Sequence, residues 1–130
     1  MTFDAIGIAA SGLTTHRKWL DAVSDNLANA NNVSSTDGEA FRARYILAQE
    51  GQGVSGVYVS GVEFGNAEGR LVYQPDHALA DDAGYVRYPD IDMAEQMGNL
   101  ILAQRGYEAN AAVVDRAKST YEAALQIGRS

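Results

Sequence analysis

The fold is decided by residues 92–127, DMAEQMGNLILAQRGYEANAAVVDRAKSTYEAALQI, which have the residue spacing of one long amphipathic helix. Two rows of side chains recur every seven residues, and the second row lies four residues behind the first. The first row is Met93, Leu100, Tyr107, Val114 and Tyr121, and the second is Met97, Gln104, Ala111, Lys118 and Leu125. This heptad pattern predicts a coiled-coil seam, in which polar Gln104 and Lys118 weaken packing but can fix register. The alternative is a long helix in an ordinary bundle.

Both ends of this predicted helix carry chemical signals. Asp92 is suited to the N-cap, and Glu95, three residues later, completes the pattern of a capping box. Gly128 is suited to the left-handed conformation that ends a helix. A helix of this length spans about 54 Å, more than the diameter of a compact domain of this size. Such a helix needs packing partners along its length.

Composition excludes several classes of function. The 130 residues carry a net charge of −7, so the chain lacks the clustered cations that bind nucleic acid or an anionic membrane. No cysteine is present, which excludes disulfides and thiolate metal sites. We find no basic and apolar leader and no run of 18 apolar residues. We therefore expect neither a cleavable secretion signal nor direct membrane insertion.

Residues 2–30 predict a second heptad helix, in which Ile6, Leu13, Leu20 and Leu27 lie seven residues apart. Thr2 is a candidate N-cap. Two interior glycines cost about 1 kcal/mol each relative to alanine, so this helix alone is marginal. We therefore expect its amides to exchange rapidly and Trp19 to be wet in the isolated subunit. The alternative is that the two terminal helices already pair within one subunit and bury Trp19, since small residues permit close helix contacts.

The middle of the chain has the alternation and turn residues of a small β module. Breaker residues at 31–38 end the first helix, and strands are predicted at 41–49, 57–64, 71–73 and 84–88, with a bulge at Gly61. The predicted class is α+β, with two long terminal heptad helices forming a coiled-coil-like pair and a Gly-rich β module inserted between them. We divide the chain into an N-terminal helix (1–32), the β module with its loops (33–89) and a C-terminal helix (90–130).

Several motifs resemble those of the flagellar rod and hook axial proteins. The run SDNLANAN (24–31) resembles the N-terminal signature of that family, in which a helix ends in an Asn-Leu-Ala-Asn run. The C-terminal helix carries RGYEAN (105–110), which is similar to the family's Arg-x-Tyr-x-Ala-Asn motif. The intervening segments resemble the proximal-rod members in order and spacing, and they are TDGEAFRAR (36–44), LVYQP (71–75), GYV (84–86) and PDID (89–92).

The resemblance implies a structural subunit of the bacterial flagellar basal body, built into a helical rod that transmits torque. It implies a rod location in the periplasmic space and export by the flagellar type III apparatus without a cleavable signal. The implied neighbours are other copies of the subunit, the rod proteins FlgB and FlgF, and the adaptor FliE. A soluble coiled-coil adaptor that forms a closed oligomer remains the alternative.

The residues predicted to form the assembly interface lie on the two helices. Asn26 and Asn29 either bond a neighbouring subunit or form local turns, and Arg105 is a candidate partner for Asp21 or Asp25 of another subunit. The full set is Ile6, Leu13, Leu20, Leu27, Asn26, Asn29, Met93, Met97, Leu100, Arg105, Tyr107, Asn110, Val114, Tyr121 and Leu125.

An enzyme hypothesis finds little support in the sequence. The close carboxylates Asp90, Asp92 and Glu95 are the type of group that binds Ca²⁺ or acts as acid and base, but helix capping accounts for two of them. No phosphate-binding loop, nucleophile elbow or His-x-x-x-His pair occurs. We therefore expect no catalytic residue, no cofactor and no metal site.

Overall fold

The computed structural model describes the backbone of residues 2–129 and the side chains of residues 4–129. Two helices enclose four short strands in the sequence. They are α1 (Thr2–Ala28), β1 (Arg44–Glu50), β2 (Val57–Phe64), β3 (Arg70–Tyr73), β4 (Tyr85–Tyr88) and α2 (Met93–Arg129). The strands form two antiparallel hairpins, β1 with β2 and β3 with β4. The predicted α+β class, with a β module between two terminal helices, is confirmed.

The helices α1 and α2 pack against each other in opposite directions. The Asn26 side chain meets Gln96, a Cβ atom placed on Gly106 would overlap the His16 ring, and one placed on Gly12 would lie 2.6 Å from Asn110 Oδ1. The contact therefore begins where α1 ends and α2 starts, and it continues along both helices toward the N-terminal half of α1. Small side chains fill it, since Ala9, Ala22 and Ala103 are buried.

Glycine determines how closely the helices approach. At Gly106 the imidazole of His16 occupies the space of a side chain, and its Nδ1–H donates to the Gly12 carbonyl at 2.7 Å. The interior glycines that weaken an isolated helix therefore have a packing role at Gly12 and Gly106. Gly7 and Gly98 differ, because a Cβ atom there would meet nothing within 4 Å.

The β1–β2 hairpin is attached to α1 near both of its ends. The Val57 N–H donates to Ser11 Oγ at 3.0 Å, and the Arg44 N–H donates to Asn26 Oδ1 at 2.8 Å. The register shifts between Leu47, which pairs with Gly61, and Ala48, which pairs with Val59. The bulge predicted at Gly61 is thus confirmed to within one residue.

The β3–β4 hairpin lies at the junction between the helices. Ser34, in the chain leaving α1, forms an antiparallel bridge with Arg87 of β4. A small cluster of Ala30, Ala43 and Ile91, with Phe41 packed against it, fills the same junction. The hairpin therefore sits where α1 ends and α2 begins.

The boundaries of α2 differ in part from those predicted. Asp92 is the N-cap, since its Oδ1 accepts the N–H groups of Ala94 at 2.9 Å and Glu95 at 3.3 Å. Among the described residues, the Glu95 carboxylate makes no return hydrogen bond to Asp92, so the capping box is incomplete. The prediction that the helix ends at Gly128 was wrong, because α2 continues to Arg129.

The row of α2 that faces α1 also differs from the predicted second row. Gln96, Ala103, Asn110 and Ala117 are buried or half-buried, three residues behind the first row rather than four. Most of the predicted row is exposed in the chain, namely Met97, Gln104, Lys118 and Leu125. Hydrophobicity could not identify the true row, because two of its members are polar and satisfied by hydrogen bonds.

We predict that Gly106→Ala destabilises the fold by roughly 1–3 kcal/mol, because the new methyl group overlaps the His16 ring. The matched variant Gly98→Ala should stabilise it by about 1 kcal/mol, because helix propensity improves without a clash. Chemical unfolding of both variants measures the difference. Equal stabilisation by the two substitutions would contradict the close helix contact.

Candidate assembly interface

Asn26 is a polar side chain of α1 that forms hydrogen bonds with both β1 and α2. It is fully buried, its Nδ2 donates to the Arg44 carbonyl at 2.9 Å and to Gln96 Oε1 at 3.1 Å, and its Oδ1 accepts the Arg44 N–H. The Asn26 amide thus bonds the N–H and the carbonyl of Arg44 as a neighbouring strand would. It also joins α1, β1 and α2. Although the sequence places Asn26 at an interface between subunits, the structure uses its polar atoms within one chain.

The other predicted polar contacts divide between local and exposed positions. The Nδ2 of Asn29 donates to the Asp25 carbonyl at 2.9 Å, which is a local contact at the end of α1. Asp25 forms its ion pair with Arg44 of the same chain. The Nδ2 of Asn110 donates to the Gly106 carbonyl at 2.8 Å, and its side chain lies against α1. Arg105 is exposed, and it forms no ion pair among the described residues.

The predicted apolar row of α1 lies along the edge of the helix contact. Ile6, Leu13, Leu20 and Leu27 are each half-buried, while Ala9, Ala22 and Val23 are buried. The row of alanines and small residues faces inward, so the larger side chains remain at the flanks. These flanks are accessible for contacts outside the chain.

On α2 the predicted residues separate into half-buried and exposed sets. Leu100 and Val114 are half-buried beside α1. The exposed set is Met93, Met97, Tyr107, Tyr121 and Leu125. Ile101, which was not predicted, is also exposed, and it continues the spacing of Met93 and Met97 by four residues. This ridge follows an i, i+4, i+8 pattern, and the two predicted heptad rows include Met93 and Met97 but not Ile101.

Trp19 is half-buried within the chain. Its ring centroid lies 6.0 Å from that of His16, and the cavity beside it is lined by Thr15, Ile46 and Ala48. The helix contact and the β1–β2 hairpin therefore shield part of the indole in a single subunit. This arrangement agrees with the alternative in which the two terminal helices pair before assembly.

The distribution of apolar side chains is unusual for an independent domain. Among residues 4–129, six of the nine buried hydrophobic residues are alanines, whereas Ile101, Leu102, Phe64 and Tyr73 are more than half exposed. The accessible surface is 8629 Å², against about 6,700 Å² expected for a compact monomer of 13.9 kDa. The excess of about 1,900 Å² on one chain is more than twice the roughly 800 Å² that one partner contributes to a standard protein interface.

Comparisons with known proteins agree along the chain. Residues 6–34 match the family model described as Flagella basal body rod protein, and residues 82–127 match the one described as Flagellar basal body rod FlgEFG protein C-terminal. The flagellar basal-body rod protein FlgC of Yersinia enterocolitica is 39% identical over 126 residues, covering 94% of each chain. The chain belongs to the FlgC family of flagellar basal-body rod proteins. FlgC of Salmonella typhimurium, at 38% identity with the same coverage, and FlgC of Bacillus subtilis, at 30% over 98% of each chain, extend the similarity.

Membership of the FlgC family makes this chain a structural subunit of the flagellar basal-body rod, which assembles with other rod components. The relatives are named as rod proteins rather than as enzymes. Within residues 2–129, no helix is long and apolar enough to cross a membrane. The same part of the chain holds no group of three potential metal ligands.

We predict that Asn26→Ala lowers the free energy of unfolding by about 3 kcal/mol, since the Arg44 backbone and Gln96 lose buried partners. Asn29→Ala is the control, and it should cost about 0.5–1 kcal/mol because it removes a local bond. Urea unfolding compares the two. Similar small losses in both variants would show that Asn26 does not connect the three elements.

Proposed function

We propose that this chain is a proximal-rod subunit that assembles helically through the outward faces of α1 and α2 and transmits torque along the rod. The observation that supports this most strongly is the alanine-rich interior combined with large apolar side chains outside. Burying apolar area is the main favourable term in association, so these side chains gain stability when a neighbour covers them.

The ridge of Met93, Met97 and Ile101 is the best-defined assembly surface on α2. These side chains are 44%, 55% and 51% exposed and follow one another at four-residue intervals. Unbranched methionines adapt to the shape of a neighbouring helix. The half-buried row of α1, with Leu13 and Leu20, supplies a second apolar surface on another side of the helix pair.

Different surfaces on one subunit permit open helical growth. A contact between two unlike patches generates a ring if the rotation closes and a filament if it does not. The ridge of α2 and the flank of α1 are unlike patches. Dense packing between neighbouring helices then resists deformation, which a rod under torque requires.

The proposed neighbours and location follow from the FlgC family. We place the rod in the periplasmic space and assign delivery to the flagellar type III apparatus, without a cleavable signal. FlgB, FlgF and FliE, together with other copies of this chain, are the proposed neighbours. Electron microscopy of the chain with each purified neighbour separates an open rod from a closed ring.

We predict that Met97→Asp abolishes incorporation into the rod and leaves cells non-motile. An unpaired carboxylate buried in an interface costs several kcal/mol, while the exposed position leaves the fold of the monomer unchanged. Swimming assays and detection of the variant in purified basal bodies measure the effect, and circular dichroism checks the fold.

Val54→Asp is the matched control, since Val54 is 60% exposed in the turn between β1 and β2 and is not part of the Met93, Met97 and Ile101 ridge. This variant should enter the rod and support motility. Normal swimming of cells with Met97→Asp in their basal bodies would exclude the ridge as an assembly surface.

A further inference from the structure

The outer edge of β1, the edge that faces away from β2, is set by the hydrogen bonds of the hairpin. The Ala43 carbonyl accepts the Gly65 N–H, and the Gly51 N–H donates to the Gly56 carbonyl, so the odd-numbered residues of β1 bond β2. In an antiparallel pair the N–H and C=O groups of successive residues point to opposite edges. The even-numbered residues of β1 therefore present these groups to the outer edge.

Along this edge the chain satisfies Arg44 and leaves Ile46 and Ala48 open. Asn26 bonds the N–H and the carbonyl of Arg44. Among residues 2–129, the N–H and carbonyl groups of Ile46 and Ala48 have no hydrogen-bond partner at the outer edge. No Cα atom of β1 lies within 8 Å of a Cα atom of α2 in that part of the chain. The edge is therefore open to an added strand at these two residues.

An apolar crevice lies beside the open part of the edge. It is lined by Thr15, Trp19, Ile46 and Ala48, and its volume is about 240 Å³. An apolar cavity of about 150 Å³ holds a benzene-sized group, so this crevice has room for one aliphatic side chain. Every second side chain of a strand points to the same face of a sheet. A strand added at this edge would therefore place one of its side chains over the crevice.

Carboxylates flank the open edge at both ends. Glu50 is exposed and ends β1. At the opposite end of β1, burial raises the pKa of Tyr45, and the carboxylates of Glu95 and Asp90 raise this pKa further. These groups favour a binding segment that carries basic residues.

The nearby cations leave this negative charge in place. The Arg44 guanidinium forms its ion pair with Asp25. Lys18 lies on the other side of the hairpin, where it lines a crevice with Val57 and Val59 of β2. The carboxylates therefore determine the sign of the potential at the outer edge of β1.

We propose that the outer edge of β1 binds an extended segment of a partner protein as a third strand, and that this segment carries an aliphatic residue flanked by basic ones. The open main-chain groups of Ile46 and Ala48 supply the hydrogen bonds, and the crevice beside Trp19 receives the aliphatic side chain. The basic residues meet the flanking carboxylates. This surface is separate from the ridge of α2, so the inference goes beyond the proposed function.

The position of α2 favours a single segment over a whole second copy. Asn26 bonds both the Arg44 carbonyl and Gln96, so α2 begins beside one end of the edge. Trp19 lies next to His16, whose ring packs against α2. The helix α2 therefore runs along the far side of the crevice, where the hairpin and helices of a second copy would meet it.

Binding of a defined peptide to the full-length chain provides the test. The probe is the acetylated and amidated peptide KTVTVK, which offers valines to the crevice and lysines to the carboxylates. It should shift the emission of Trp19, the single tryptophan, to the blue in a saturable manner, because a side chain in the crevice excludes water from the indole. The peptide ETVTVE should bind roughly tenfold or more weakly, since its charges repel the flanking carboxylates.

Two probes with N-methyl groups on alternate residues test the main-chain bonds. Methylation of the nitrogens that face β1 removes hydrogen-bond donors and blocks the edge, whereas methylation of the other nitrogens does neither. One methylated probe should therefore lose roughly tenfold or more in affinity, while the other binds like the parent peptide. An apolar contact alone would treat the two probes alike.

On the protein, Ala48→Pro removes one outward N–H group of β1 without breaking a bond to β2. This variant should bind KTVTVK roughly tenfold or more weakly. Ala48→Val is the matched control, because it keeps the N–H group with a side chain of similar size, and it should bind like the wild type. Circular dichroism checks the fold of both variants.

Equal binding of the two methylated probes would overturn the proposal. A folded Ala48→Pro variant that binds like Ala48→Val, or the absence of any saturable change in Trp19 emission, would also contradict it. Self-association of the wild type that Ala48→Pro abolishes would place a second copy on the edge, and this result too would exclude a partner segment as the occupant.

Discussion

The buried amide of Asn26 connects the parts of this subunit. It bonds both polar groups of the Arg44 backbone, so at this residue the outer edge of β1 is satisfied by a helix rather than by another strand. It also bonds Gln96, which fixes the register of α2 against α1. Because an unsatisfied polar group in a buried position is costly, sliding either helix or shifting the hairpin loses these bonds together.

The remaining architecture follows from this close contact. Helices that approach through Gly12, Gly106 and Ala103 leave little room for large side chains between them. Apolar residues such as Met97 and Ile101 therefore lie outside, where they add little to the stability of one copy. The same arrangement suits a rod subunit of the FlgC family, since the energy of burial becomes available when copies pack together.

Sequence predicted the two helices, the four short strands between them and the Asp92 cap, because periodicity and turn chemistry are local signals. It could not identify the α2 row that contains Gln96 and Asn110, because a satisfied polar side chain and an exposed one look alike in sequence. Glycine likewise suggested weakness in α1, since the contact at Gly12 depends on Asn110 opposite it on α2. Gly128 was misread because the composition of a helix end does not fix where the backbone turns.

Hydrogen–deuterium exchange of the purified monomer tests most directly whether the helix pair forms before assembly. If the Asn26 contacts and the glycine positions hold the helices together, amides between Ala9 and Val23 exchange as slowly as those of α2 residues 96–117. Rapid exchange throughout α1 in a proven monomer would contradict a preformed pair and show that α1 folds only on docking.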